Sequence, residues 1–152
     1  MAIKPVPEGF HTITPYLLVK DVAKLIDFLK NAFDAHEIER HARPDGVVMH
    51  AQMRIGDSML MMGDPTGAPR EQAPMPASFY VYVPNVDEVY KRALAAGGKS
   101  ISEPADMFYG DRHGGVTDAW GNQWWIATHV EDVSPEEMKR RSEKHLREGQ
   151  KG

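Results

Sequence analysis

No cysteine occurs among the 152 residues, which excludes disulfides and thiolate metal sites and suits a cytoplasmic protein. No apolar run reaches the length of a membrane span, and the opening Met1-Ala-Ile-Lys-Pro-Val-Pro-Glu8 lacks the apolar centre of a signal peptide. A membrane partner is therefore not expected. Basic excess is missing too. Lys and Arg number 18 against 22 Asp and Glu, a net charge of −4, and phosphate neutralisation needs a basic face; nucleic acid is not an expected partner. The basic residues Lys139, Arg140, Arg141, Lys144 and Arg147 alternate with Glu136, Glu137, Glu143 and Glu148, as on a solvated helix face. Phosphate-cradling Gly-rich loops, nucleophile elbows and His-Glu-x-x-His motifs are absent. What remains is the composition of a soluble globular chain, 41% hydrophobic and 26% charged, sized for one domain or two small modules sharing a core.

The chain repeats itself. Thr14-Pro-Tyr-Leu-Leu-Val-Lys-Asp21 returns as Ser78-Phe-Tyr-Val-Tyr-Val-Pro-Asn85, an offset of 78 − 14 = 64. Ile55-Gly-Asp-Ser-Met-Leu-Met61 returns as Trp120-Gly-Asn-Gln-Trp-Trp-Ile126, an offset of 120 − 55 = 65. An internal repeat governs the reading of the whole fold.

Alternation predicts a strand over 13–19. Asp21 caps a helix whose stripe is Val22, Leu25, Ile26, Leu29, Ala32 and Phe33. Strands follow over 36–41, 47–55 and 58–62, the last two joined at Gly56-Asp57. Residues 63–77 hold four prolines and two glycines and read as an extended linker. The second half repeats the order: strand 78–83, a helix capped by Asn85, a short strand 99–102, a long loop 104–114, then strands 115–119 and 123–129. Ser134-Pro-Glu-Glu137 opens a charged helix to about Glu148. The division is an arm (1–12), a first module (13–62), a linker (63–77), a second module (78–130) and a charged tail (131–152).

Side chains alternate across a strand, so each strand has a helix-facing set and an opposite set. Leu17, Val19, Met49, Ala51, Met53, Phe79, Val81 and Val83 form the helix-facing set. The opposite set is Thr14, Tyr16, Leu18, His50, Gln52, Leu60, Met62, Ser78, Tyr80, Tyr82, Thr117 and Trp125. Aromatics with a few hydroxyls, one His and one Gln match the lining of a small-molecule cleft. Tyrosines merely pointing at solvent from an open sheet are the competing reading.

Paired β-α-β-β-β units, with the endings Ile55-Gly-Asp57 and Asp118-Ala-Trp-Gly-Asn122, resemble the vicinal oxygen chelate superfamily, the glyoxalase and bleomycin-resistance group. The resemblance covers about residues 11–130. Tyr109-Gly-Asp-Arg112, Asp118 to Trp124 and Thr128 to Glu137 look like a glyoxalase-like subfamily. Some of its members have been labelled methyltransferases, but nothing in this chain resembles a methyl-donor site. The resemblance implies an α+β fold: tandem modules forming a curved, mostly antiparallel sheet around a cleft, plus a C-terminal helix. It also implies a homodimer. Metal-dependent members take His and Glu ligands from the first and last strand of each module. By position these become Thr14, Leu60, Ser78 and Trp125, none of them a strong ligand for a divalent ion, so neither metal nor other cofactor is expected.

His50 is the histidine on the cleft face of a predicted strand, read either as a general base or ligand anchor or as a group bonded to Gln52 or a tyrosine. In the loop, Tyr109 and Arg112 are candidate ligand contacts, Arg112 for an anionic group; Asp111 and Arg112 pairing to brace the loop is the alternative. His129 reads as structural packing. The expected function is metal-independent binding of a small organic molecule of unknown identity, as in bleomycin-resistance-like sequestration, through Thr14, Tyr16, His50, Gln52, Ser78, Tyr80, Tyr82, Tyr109, Arg112 and Trp125. The alternative is a glyoxalase-type lyase or isomerase, with a displaced metal or metal-free acid–base chemistry. A scaffold module with a self-plugged cleft is the third reading.

Overall fold

The computed structural model describes residues 2–67 and 73–149. The first module runs β1 (Tyr16–Leu18), α1 (Val22–Phe33), β2 (His36–Ala42), β3 (Val48–Ile55) and β4 (Ser58–Gly63). The second repeats it as β5 (Ser78–Tyr82), α2 (Val86–Ala95), β6 (Lys99–Asp106), β7 (Asp111–Thr117) and β8 (Gln123–His129), and α3 (Pro135–Gly149) closes the chain. Each module makes one four-stranded sheet, in the orders β1-β4-β3-β2 and β5-β8-β7-β6. The first and last strand of each module pair in parallel, and the other pairs are antiparallel. The α+β fold of tandem modules with a C-terminal helix is the one expected, its sheet formed as two four-stranded parts.

Local chemistry explains the elements. The Asp21 side chain accepts the Lys24 N–H, and that of Asn85 the Glu88 N–H, each capping a helix start. Ser134 accepts the Glu137 N–H at 3.2 Å and does the same for α3. The stripe read on α1 is buried along its length. Both modules share one core. Phe28 and Phe33 of α1 meet Trp124 of β8 at centroid distances of 6.5 and 5.1 Å, and Phe79 of β5 stacks on Trp124 at 4.6 Å. Arg92 of α2 grips Asp34 at the end of α1 with two bonds of 2.9 and 2.5 Å.

The Asp118-Ala-Trp-Gly-Asn122 segment is a buried turn. Asp118 accepts the backbone N–H groups of Trp120 and Asn122 on one oxygen, and the Asn122 amide and Trp124 indole on the other, all at 2.9 Å. Gly121 supplies the left-handed residue at φ 85°.

Several sequence expectations need correction. Pairing of β1 spans only Tyr16–Leu18 of the expected 13–19; Pro15, with no N–H, stands at its start. The linker expectation falls partly on 68–72, outside the described residues, and β4 continues through Gly63. The long loop 104–114 is mostly strand, with only Met107–Gly110 left as a turn. Its first limb is an exposed edge strand, where Pro104 sits in an irregular stretch of pairing and polar residues hide the alternation. Leu60 and Met62 lie in the core, facing Met53 and Ala51 across the ladder. The two-residue turn Gly56-Asp57 fixes that parity by pairing Ile55 with Ser58, so Met59 and Met61 take the opposite face. Met49 was expected to face the helix but is 48% exposed, because it is an extra residue in a bulge: His41 pairs with His50, and Ala42 with Val48.

Candidate functional site

The open faces of the two sheets carry the same pair of side chains at matching register. Tyr16 of β1 faces Met61, and Tyr80 of β5 faces Trp125, so the last strands are related by 125 − 61 = 64, as the first strands are by 80 − 16 = 64. Two residues before the partners of Met61 and Trp125 stand His50 and His113. The Tyr16 hydroxyl lies 3.1 Å from His50 Nδ1, and the Tyr80 hydroxyl 3.4 Å from His113 Nδ1. Gln52 adds a contact of 3.3 Å to His50 Nε2. Trp125 lies over Gly115: a Cβ there would come within 2.7 Å of the indole ring, so the strand can carry the ring only because Gly115 has no side chain. Trp125 and His113 rings are 5.2 Å apart.

The second module adds a polar network. Asp111, 4% exposed, accepts the Tyr80 hydroxyl at 2.8 Å and the Tyr82 hydroxyl at 2.9 Å on one oxygen. Its other oxygen meets His129 Nδ1 at 2.8 Å, and His129 Nε2 meets Asp132 at 2.7 Å. Burial alone would raise the Asp111 pKa, but the donors His129, Tyr80 and Tyr82 outweigh it and hold the carboxyl below its ordinary value. Tyr80 is pushed up by burial and then by its bond to Asp111; Tyr82 is pushed up first by that bond. The bonds to Asp111 and Asp132 raise His129, whereas burial lowers His113. Tyr109, from the short turn, places its hydroxyl 3.0 Å from His113 Nδ1. Helix α3 braces that turn: Arg141 donates to the Phe108 carbonyl at 3.2 Å and grips Glu131 at 3.0 and 2.7 Å.

Tyr16, His50 and Gln52 thus gather on one open face, and Tyr80, Tyr82, Tyr109 and Trp125 on the other. Arg112 belongs to neither. It faces the helix layer, where it bonds Asp87 of α2 at 3.0 and 2.9 Å and Asp106 at 3.3 Å, because it alternates with Asp111 and His113 on a strand. The brace is real, but its partners are Asp87 and Asp106 in place of Asp111. Thr14 precedes β1 by two residues and exposed Ser78 opens β5; among the described residues neither side chain hydrogen-bonds to these networks. His129, read as packing, is on the open face with a carboxylate at each nitrogen. Asp111 and His113 belong to the loop that the sequence marks, Asp111 as an orienting or bracing group, whereas His129 is the functional candidate that sequence reasoning reads as packing; His113 aligns with His50, 113 − 50 = 63.

A cavity of about 510 Å³ lies between the modules along β5. Ile13, Phe33, Leu60, Val81 and Trp124 line it, and Thr14, Tyr80 and Tyr82 are the candidate residues that border it. Its volume suits a ligand, and its walls are mainly apolar, with His11, Asp34, Asp57 and Arg92 as polar lining groups.

The corrected register changes one position implied for a metal. Met61, in place of Leu60, answers Trp125. Thr14, Met61, Ser78 and Trp125 supply two hydroxyls, a thioether and an indole, and this donor set does not fit a divalent ion that requires imidazole or carboxylate. Among the described residues no three His, Asp or Glu side chains gather to replace it.

Two βαβββ modules with a repeated aromatic–imidazole face define a duplicated-module α+β protein. The profile of the Glyoxalase/Bleomycin resistance protein/Dioxygenase superfamily matches residues 9–126. An uncharacterized protein of Mycobacterium bovis is 34% identical over 134 residues, spanning 83% of this chain and 88% of that one. TioX from Micromonospora superposes with a TM-score of 0.67 at 25% identity, covering 79% of this chain and 99% of TioX. A Bacillus cereus PhnB protein, described as a putative 3-demethylubiquinone-9 3-methyltransferase, shares the fold at TM-score 0.62 and 18% identity, over 78% of this chain and 99% of that one. The chain belongs to the glyoxalase/bleomycin resistance protein/dioxygenase superfamily. None of its helices is long and apolar enough to cross a membrane, among the described residues.

Proposed function

We propose that the chain binds a small aromatic molecule, without a metal, on the open faces of its sheets, in the manner of sequestration or resistance. The observation that carries this reading is the repeated Tyr–His pair, with Trp125 laid over Gly115 beside it. A half-buried indole plate flanked by hydrogen-bonding groups offers stacking area and orientation together. A homodimer is part of the proposal. Tyr16, Tyr80 and Tyr82 are 48%, 43% and 63% exposed, and a second copy covering these faces would turn them into clefts. A cytoplasmic setting fits the lack of cysteine. The purified protein is expected to hold no stoichiometric divalent metal, and chelators are expected to leave ligand affinity unchanged. One zinc, nickel or iron ion per chain by elemental analysis would sink the reading.

One observation favours the enzymatic alternative, a metal-free lyase or isomerase. His129 lies between the Asp111 and Asp132 carboxylates, which raise its pKa above the ordinary value and suit it to donate a proton as a general acid. On that reading His129→Gln abolishes turnover while the chain stays folded; unchanged turnover removes His129 from the chemistry.

A further inference from the structure

The hydrogens of Tyr80 and Tyr82 are both committed. The Asp111 carboxyl is held below its ordinary value, so it is ionised near neutral pH and can only accept. The two hydroxyls donate to the same oxygen, Oδ2, at 2.8 and 2.9 Å, while His129 Nδ1 meets the other at 2.8 Å. Each tyrosine oxygen therefore keeps lone pairs and has no hydrogen left to give. Because both bond one carboxylate oxygen, they are close neighbours. A ligand group that meets them must be a donor.

Charge narrows the kind of donor. Asp111 is buried behind the tyrosines, and Asp132 stands 2.7 Å from the far nitrogen of His129. Even with His129 protonated, this chain of three groups keeps one negative charge. Arg112, the next residue, faces the helix layer on Asp87 and Asp106, and Arg141, which braces the nearby turn, is bonded to Glu131 and Glu137. Both arginines are thus paired with carboxylates of their own. The rings favour the same sign. Tyr80 and Tyr82 are well exposed, with centroids 5.3 Å apart, and Trp125 lies 5.2 Å from His113. Tyrosine and tryptophan faces attract a cation within about 6 Å of the ring centroid.

Resting on the binding reading above, we propose that the aromatic molecule this face takes carries a protonated amine, whose N–H groups donate to the Tyr80 and Tyr82 oxygens beside the Asp111 charge. An anion meets lone pairs and a negative charge. An ether or a carbonyl brings acceptors to acceptors. A neutral alcohol can pair with the oxygens but gains nothing from the charge. A ligand that leaves the polar groups of a site unpaired is rejected by it.

Three probes built on one phenyl body test this: 2-phenylethylammonium, 2-phenylethanol and 3-phenylpropionate. Each is titrated into the ¹⁵N-labelled protein near neutral pH and followed at the Trp125 indole N–H and the Tyr80 and Tyr82 amides. The amine is expected to bind about tenfold tighter than the alcohol, the margin of a charge-assisted over a neutral hydrogen bond, with the carboxylate weakest. An alcohol that matches the amine, or a carboxylate that binds best, overturns the amine while leaving the binding reading intact. If no probe moves Trp125, the binding reading fails and the amine with it. Asp111→Asn removes the charge, and Tyr82→Phe removes one acceptor while keeping the ring. With an otherwise unchanged ¹H–¹⁵N spectrum as the check on folding, each is expected to cut the margin of amine over alcohol at least about threefold. An undiminished margin in either variant overturns the proposal.

Discussion

Replacing Asp111 by Asn changes one oxygen to an amide nitrogen, and the geometry gives the size of the effect. The remaining oxygen still accepts from Tyr80 and Tyr82, now as a neutral group. The new N–H₂ meets His129 Nδ1, so a donor faces a donor unless His129 gives up its Nδ1 proton and keeps only the Nε2–H that meets Asp132. Hydrogen bonds to a charged group contribute about 1.5–3 kcal/mol against about 0.5–1.5 for neutral ones. Two bonds weakened and one lost, discounted because the tyrosines and His129 face solvent, give about 2 kcal/mol. In a chain of this size that lowers Tm by roughly 4–8 °C. The deficit depends on pH. Asp111 has a depressed folded pKa, so its contribution is present above the unfolded value, about 3.9, and is lost as pH falls through the lower folded value. His129 has a raised folded pKa, so its share is complete below its ordinary value, about 6.5, and is lost as pH rises through the folded one. Scanning calorimetry across pH is therefore expected to show the widest gap between wild type and variant between about pH 4 and 6.5, narrowing on both sides. A gap under about 1 °C in that window, or one independent of pH, would refute the assignment of Asp111 as the charged centre of the network.

Gly115→Ala places a methyl 2.7 Å from the Trp125 ring and is expected to cost about 1–3 kcal/mol, with a shift in tryptophan emission; unchanged emission and Tm would mean that the ring has room to move. Arg141→Ala releases the Phe108 carbonyl and Glu131, loosening the turn that holds Tyr109 over His113. The His113 titration midpoint, followed by NMR, is then expected to rise toward the ordinary histidine value as burial is lost; an unmoved midpoint would show that α3 does not position the turn.

Much of this fold was legible because its signals are short-range. The α1 stripe, the caps at Asp21 and Asn85 and the doubled endings can be read over windows of a few residues, and the structure follows them. The site was less legible because its bonds span the chain. Tyr80 and Asp111 are 31 residues apart, and Asp111 and His129 are 18 apart. No local pattern marks such a pair. The parity of β4 was lost for a different reason. Ile55-Gly-Asp57 and Trp120-Gly-Asn122 look alike, but the first closes a two-residue hairpin, whereas the second is a larger turn folded around the Asp118 carboxylate. Aligning the glycines therefore misaligned the strands behind them by one residue, which exchanged Leu60 for Met61.

The same local irregularity explains why two modules with one frame carry unequal chemistry. On the register that relates His50 to His113, the counterpart of Asp111 is Val48, since 111 − 63 = 48. In the second module the β7–β8 ladder runs without interruption from Thr117 to Asp111, and alternation delivers Asp111 to the open face beside His113. In the first module the Met49 bulge inserts a residue at the corresponding place, and parity reverses beyond it. Val48 turns into the core at 4% exposure, and no carboxylate reaches Tyr16. Tyr16 meets His50 with no carboxylate beside it, whereas Tyr80 gives its hydrogen to Asp111, and Tyr109 stands closer to His113 Nδ1 than Tyr80 does. One extra backbone residue thus separates the Tyr16–His50–Gln52 cluster of the first module from the carboxylate-centred network of the second.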